Sequence, residues 1–296
     1  MNTGKLVNNI KTMLLLSILT SLILFCGYLL GGQTGVIIAL GFATVMNFVG
    51  FFFSAKIALA SMKAQEVGPE HELYKIVEGL AQRARMPMPK VYLSPHAAPN
   101  AFATGRNPNN AAVCATAGLM QMLDRNEIAG VMAHELAHVK HRDILIQSVA
   151  ATIGGAIGFL GNMWFFMGGM SSNRNEEGEG GGNPLFSIIG MLFMIIVAPL
   201  AASLIQMAVS RQREYAADTE GATITGDPMH LATALEKIHM MATRIPMQVN
   251  PAFNAMMIAE PKNLGGRAAG LFATHPPLEK RMMNLIGRES TGKTYR

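Results

Sequence analysis

Half of the 296 residues are hydrophobic and only 15% are charged, and the mean hydropathy is +0.27, which excludes an ordinary soluble domain and points to a membrane protein. The net charge of +5 is what cytoplasmic membrane flanks produce, and with no arginine-rich groove interleaved with aromatics it gives no reason to expect nucleic acid as a partner. Two cysteines, Cys26 and Cys114, rule out a disulfide framework and leave any metal to histidine and carboxylate.

In chain order, four apolar stretches, roughly Thr12–Leu30, Gly35–Ala55, Ile144–Met170 and Leu185–Val209, are long enough to cross a hydrocarbon core of about 30 Å. They predict a first hairpin over residues 1–55, a second over 144–209, and a cytoplasmic domain built from 56–143 and 210–296. Lys5 and Lys11 precede the first stretch, as in a secretory signal. That stretch is longer than an h-region, lacks an A-x-A-like end and runs straight into a second apolar segment, so it reads as a span. Cys26 follows the bulky Phe25, which argues against lipoprotein processing, and reads as a small buried apolar residue. Lys5, Lys11, Lys56 and Lys63 flank the first hairpin, whose turn "GGQTG" is uncharged. Lys140, His141 and Arg142 precede the second hairpin and Arg211 and Arg213 follow it, while its tip "SSNRNEEGEGGGNP" holds one Arg and three Glu. The flanks are therefore predicted cytoplasmic and the tip periplasmic. Gly154, Gly155, Gly158 and Gly161 dilute the second hairpin, which either spans or is re-entrant.

Between the hairpins, Leu73, Ile76, Val77, Leu80 and Ala81 give Glu70–Arg85 a helical period. Two prolines in "MPMPKVYLS" break it, Val91–Leu93 reads as a short strand, and residues 99–105 and 111–120 read as two more strands around the turn "RNPNN". Asp124 with Glu127 three residues on forms a capping box for a helix from about Arg125 through His141.

That last helix carries "HELAH". His134 and His138, four residues apart, project from one face and can reach one ion, and Glu135 lies beside them, able to approach a water on it. The bland alternative is a polar helix end near a membrane. A catalytic zinc needs a third protein ligand and one open position. "SRQREYAAD" offers Glu214 as ligand, with Asp218 one turn on to accept the far N–H of a ligating histidine. Without the histidines, the same residues would read as a charged interfacial collar.

These motifs, with "PNAFATG" before them and "THPPLEKR" after them, resemble the HtpX family of bacterial membrane zinc metalloproteases, related more distantly to the CAAX prenyl proteases. The resemblance runs over almost the whole chain and every matched motif position is intact. It implies an α+β membrane protein: a mostly helical zincin-like domain with a small β-sheet and about four transmembrane helices. It implies one Zn2+ on His134, His138 and Glu214, with Glu135 as catalytic base. It implies a multi-pass protein of the inner membrane, active on the cytoplasmic side against misfolded or damaged membrane proteins, in quality control and stress response.

The chemistry can be followed without the resemblance. Two neutral imidazoles and one carboxylate leave a zinc site positive enough to acidify bound water, from which Glu135 takes the proton and passes it to the leaving amine. Oxyanion stabilisation needs a further donor, for which His275 is the first candidate and Arg281 the second; His-Pro-Pro is equally a rigid helix entry. The strand at Asn100, Ala101, Phe102 and Ala103 would suit a substrate peptide added edge-on, or is an ordinary hairpin strand. The resemblance favours the former, particularly for Asn100. His71, His96, His141, His230 and His239 read as surface or interfacial. Residues 245–270, rich in Gly, Pro and Met, are either a lid or a connection. The expected partners are membrane-protein or unfolded polypeptide substrates and the lipid bilayer. The alternative function is a membrane-anchored zinc protein that binds misfolded segments without cutting them; a dedicated prenyl-protein processor is a narrower one.

Overall fold

The computed structural model describes residues 3–152, 211–242, 258 and 276–287; over these the chain is mostly helical with one small mixed sheet. The first element, α1 (Thr3–Ser61), is a hairpin of two helical arms broken at Gly31 and Gly32, and Gly32 has φ 55° and ψ −136°, a conformation that glycine alone adopts without strain. The expected turn thus narrows to two residues. Just below it the arms touch backbone to backbone, since a Cβ on Gly35 would stand 2.0 Å from the Gly27 carbonyl oxygen. Further down, Asn47 Nδ2 donates to Thr20 Oγ1 at 2.8 Å. Ile37, Ile38, Phe42, Val45, Phe48 and Phe52 face outward. Gly31–Ser61 is long and apolar enough to cross a membrane, and Thr12–Phe25 is a shorter apolar helix. The third expected span opens as a helix at 144, and most of the second hairpin lies outside the described residues.

The sheet consists of β1 (Gln65–Glu66), β2 (Lys90–Ser94), β3 (Ala101–Gly105) and β4 (Ala111–Thr116) in the order β1-β2-β4-β3. β2 and β4 run parallel, and the other pairs are antiparallel. β1, at two residues, is too short for its alternation to register in the sequence. The strand expected over 111–120 ends at Thr116, whose hydroxyl accepts the N–H of Leu119 at 3.2 Å and caps α3 (Ala117–Met122). A capping hydroxyl offers the backbone a helical start that competes with the ladder.

β3 is buried at every residue because both faces are covered. Ala101 and Ala103 belong to the main core with α2 (Glu72–Ala84) and α4 (Arg125–His141). Phe102 turns the other way, against Ala58 and Met62 near the end of α1 and Ala151 of α5 (144–152). On that face Thr104 and Ser148 share a hydroxyl hydrogen bond of 2.7 Å, and Ser94 Oγ donates to Met62 O at 2.7 Å. The end of α1 and the described part of α5 are thus fastened to this face of the sheet.

Through the middle runs α4. Its capping box is complete: Asp124 Oδ1 accepts from Asn126 N and Glu127 N, and Glu127 Oε2 accepts from Asp124 N, an arrangement worth about 1 kcal/mol. Lys237 of α7 (Pro228–Ala242) also reaches Glu127, at 2.6 Å. Around α4 lie α6 (Arg211–Thr225), α7 and α8 (Leu278–Ile286). α4 does not run on into the next apolar helix, as a continuous zinc helix would. It stops at His141, and Arg142 takes left-handed values (φ 63°, ψ 31°) before α5 begins.

α6 approaches α4 closely because Gly221 has no side chain: a Cβ there would lie 3.0 Å from His134 N and 3.1 Å from His134 Cα. Backbone atoms cannot yield as a side chain does, so Gly221→Val should destabilise the protein by about 1–3 kcal/mol. It should also spread the residues of α6 away from His134 and His138. Thermal denaturation with metal analysis of the purified variant checks both; unchanged stability would mean that α6 can slide without cost.

Candidate metal centre

Three buried groups converge between α4 and α6. His134 and His138 come from α4 and Glu214 from the first turn of α6, and all three are at least 96% buried. Their ligand atoms lie within 4.8 Å of one another. The two Nε2 atoms are 3.2 Å apart, His138 Nε2 is 3.4 Å from Glu214 Oε1, and His134 Nε2 is 3.7 Å from Glu214 Oε2. Ligands held tetrahedrally at about 2.0–2.1 Å from a zinc ion stand about 3.3 Å from one another; the two imidazole nitrogens match that spacing and each Glu214 oxygen faces one of them at a similar distance, so the donor set suits such an ion.

The far side of each ring strengthens the fit. His134 Nδ1 faces Asp218 Oδ1 at 2.9 Å, and His138 Nδ1 faces Asp143 Oδ2 at 3.1 Å. A carboxylate there holds the proton on Nδ1 and leaves the Nε2 lone pair pointing inward. Two such lone pairs and a carboxylate, in van der Waals contact and out of water, repel one another unless a proton or a metal cation sits among them.

Asp218 is itself clamped. Arg281 of α8 donates from Nε to Oδ2 at 3.0 Å and from an Nη to Oδ1 at 2.6 Å. Burial alone would push the Asp218 carboxyl up, but the Arg281 charge and the bonds from His134 and Arg281 outweigh it and bring the pKa down to about 2. Arg281 is raised in turn, because the attraction of Asp218 outweighs its burial. Asp143 Oδ1 likewise accepts from Arg213 Nη1 at 3.3 Å.

A model of peptidase family M48 matches residues 68–289. The chain belongs to peptidase family M48. Among its relatives are the "Protease HtpX homolog" of Sulfurihydrogenibium sp. (strain YO3AOP1), 50% identical over 95% of this chain and 96% of that one. Another is the protein of the same description from Ralstonia nicotianae (strain ATCC BAA-1114 / GMI1000), 50% identical over 97% of this chain and 99% of that one. The solved structure of S. mikatae Ste24p matches with a TM-score of 0.48 at 20% identity, over 96% of this chain and 66% of that one. This M48 chain is thus a metallopeptidase of the HtpX type, with one described helix long and apolar enough to cross a membrane.

Within this M48 fold, the residues singled out from sequence fall in different places. Glu135 is buried on α4 beside the two histidines. Arg281, expected as an oxyanion or substrate contact, lies instead behind His134, with its guanidinium on Asp218. Phe102 turns its ring into the contact with α1 and α5, so its side chain is not offered to a substrate. Ala101 opens the outer strand and Asn100 stands just before it, and Ile258 N–H already meets both, 3.2 Å from Ala101 O and 3.0 Å from Asn100 Oδ1. Ile258 falls within 245–270, and its side chain enters the core. His275 lies outside the described residues.

Two features carried no signal in the sequence. Asp143 stands five residues past His138, a spacing that no continuous helix brings together. Arg281 and Asp218 are 63 residues apart.

In the metal-free protein His138 is basic. Burial pushes its pKa down, but the Glu214 charge, the bond to Asp143 and the charges of Glu135 and Asp143 together raise it to about 9. A metal must displace that proton. Below about pH 9 the apparent zinc affinity should therefore rise with pH, about tenfold per unit, and level off above it. Chelator-competition titrations at several pH values test this. Affinity that is flat with pH would mean that His138 is already neutral.

Proposed function

We propose that the chain is a zinc-dependent endopeptidase of the bacterial inner membrane. It would hydrolyse peptide bonds of misfolded or damaged membrane proteins at the cytoplasmic face, in quality control and stress response. The observation that carries this reading is the buried convergence of His134, His138 and Glu214, with Glu135 buried beside them. Zinc bound there would polarise the scissile carbonyl and acidify a water. Glu135, beside the two histidines, would act as the base that takes a proton from water and hands it to the leaving amine. Asp218, kept ionised by Arg281, holds the Nδ1 proton of His134 and so keeps Nε2 available. His275 enters as an oxyanion donor on its motif alone.

The substrate would bind as an extended chain along the outer edge of β3, the end strand of the sheet. Ile258 supports this reading: its N–H on Ala101 O makes the bond that a substrate strand would make, and would have to leave when one binds. The contact of α1 and α5 with the other face of β3 keeps that edge near the apolar helices. This favours segments of membrane proteins over free soluble chains.

Glu135→Gln should abolish casein hydrolysis while retaining roughly one zinc per chain, because it removes the base and spares the ligands. His134→Ala and Glu214→Ala should lose the zinc as well. Cleavage by the zinc-loaded Gln variant would remove Glu135 from the reaction. A wild-type protein that binds zinc and unfolded chains without cutting them would make this a binding protein.

The orientation is tested in a background with Cys26 and Cys114 replaced. A cysteine at the fully exposed Glu70 should be labelled only from the cytoplasm, and one at the exposed Gln33, beside the hairpin turn, only from outside. The opposite pattern would put the site in the wrong compartment.

A further inference from the structure

Asp143 sits where α4 gives way to α5. The left-handed turn at Arg142 sends the Arg142 N–H back to Val139 O at 3.1 Å and the Asp143 N–H to His138 O at 3.0 Å. Had α4 continued, residues 138 and 143 would lie about 140° apart around the axis. The reversal instead lays the Asp143 side chain, 1% exposed, along the His138 ring. Oδ2 is then 3.1 Å from Nδ1, and Oδ1 is 3.3 Å from Arg213 Nη1.

The same chain of contacts therefore occurs twice, from different elements. One runs from His134 on α4 through Asp218 on α6 to Arg281 on α8. The other runs from His138 on α4 through Asp143 at the α4–α5 junction to Arg213 on α6, next to Glu214. We propose that Asp143 is the positioning residue for His138, fixing its Nδ1–H tautomer and aiming Nε2 at the metal, and that Arg213 positions Asp143. This rests on the zinc-ligand reading of His134, His138 and Glu214. It also ties the second histidine to the seating of α5, whose Ser148 and Ala151 pack on β3.

The competing role for Asp143 is to cap α5, which would affect stability and leave zinc affinity alone. The full chain in detergent distinguishes the two through three readouts. They are zinc affinity by chelator competition, the visible absorption spectrum of the cobalt-substituted protein, and thermal stability without metal. Asp143→Asn should lower zinc affinity by about 10–100-fold and alter the cobalt spectrum, with the metal-free Tm little changed. Arg213→Gln, at a more exposed position, should weaken zinc binding less, by about threefold or more, and serves if the Asn variant does not fold. Wild-type affinity and spectrum in either variant, whatever the Tm, would overturn the proposal. A wild-type chain that takes up no zinc, or His138→Ala that keeps it, would overturn the ligand assignment itself, a result separable from the first.

Discussion

Two imidazole nitrogens and a carboxylate face one another out of contact with water, with a proton on His138 when no metal is bound. The Nε2 atoms of His134 and His138 stand 3.2 Å apart with the Glu214 carboxylate beside them. Such a cluster is unfavourable on its own and persists only if the surroundings hold it and a cation neutralises it. Most of the fold can be understood as that holding. Each ring is gripped at Nδ1 by an aspartate, and each aspartate by an arginine. α4, α6, α8 and the α4–α5 junction must then all be in register at once. Removing one member of the fully buried Asp218–Arg281 pair leaves the other charge uncompensated, at a cost of about 3–5 kcal/mol, so that side of the supporting shell is under tight constraint.

Close approach of the helices makes this register possible. Gly221 lets α6 lie against the backbone of His134, and Gly130 lets α7 lie against α4, where a Cβ would come within 2.5 Å of His230 C and Leu231 N. Residues from before the second apolar hairpin and after it share one hydrophobic core, from Leu73 to Ile238 and Ile258. A core of that kind resists small rearrangement, because interiors are packed at the density of organic crystals.

β3 lies between two environments. One face joins the core that carries α4; the other meets the end of α1 and the start of α5. The apolar helices thus touch the outer strand directly, and α5 follows straight on from Asp143, which meets His138. Ile258 occupies the main-chain acceptor on the same strand. The strand that would receive a substrate is thus in contact with both the apolar helices and the segment after α7.

What the sequence determined by itself was local. The i, i+4 pair His134 and His138, the Asp124–Glu127 capping box, the period of α2, the glycine turn of the first hairpin and the short gap from Glu214 to Asp218 all follow from helix geometry or composition. These act within a few residues and leave a mark at fixed spacing. The tertiary structure alone decided how the charges pair. Arg281 could equally have met a substrate, and only the packing of α8 against α6 turns it to Asp218. Arg142 gave no sign of a left-handed turn, since glycine usually marks one, and so Asp143 could not be placed beside His138. The burial of Phe102, the two-residue strand β1 and the reach of Ile258 to Ala101 likewise depend on which surfaces meet. Partner choice among buried polar groups is set by distance and desolvation in three dimensions, and no spacing along the chain records it.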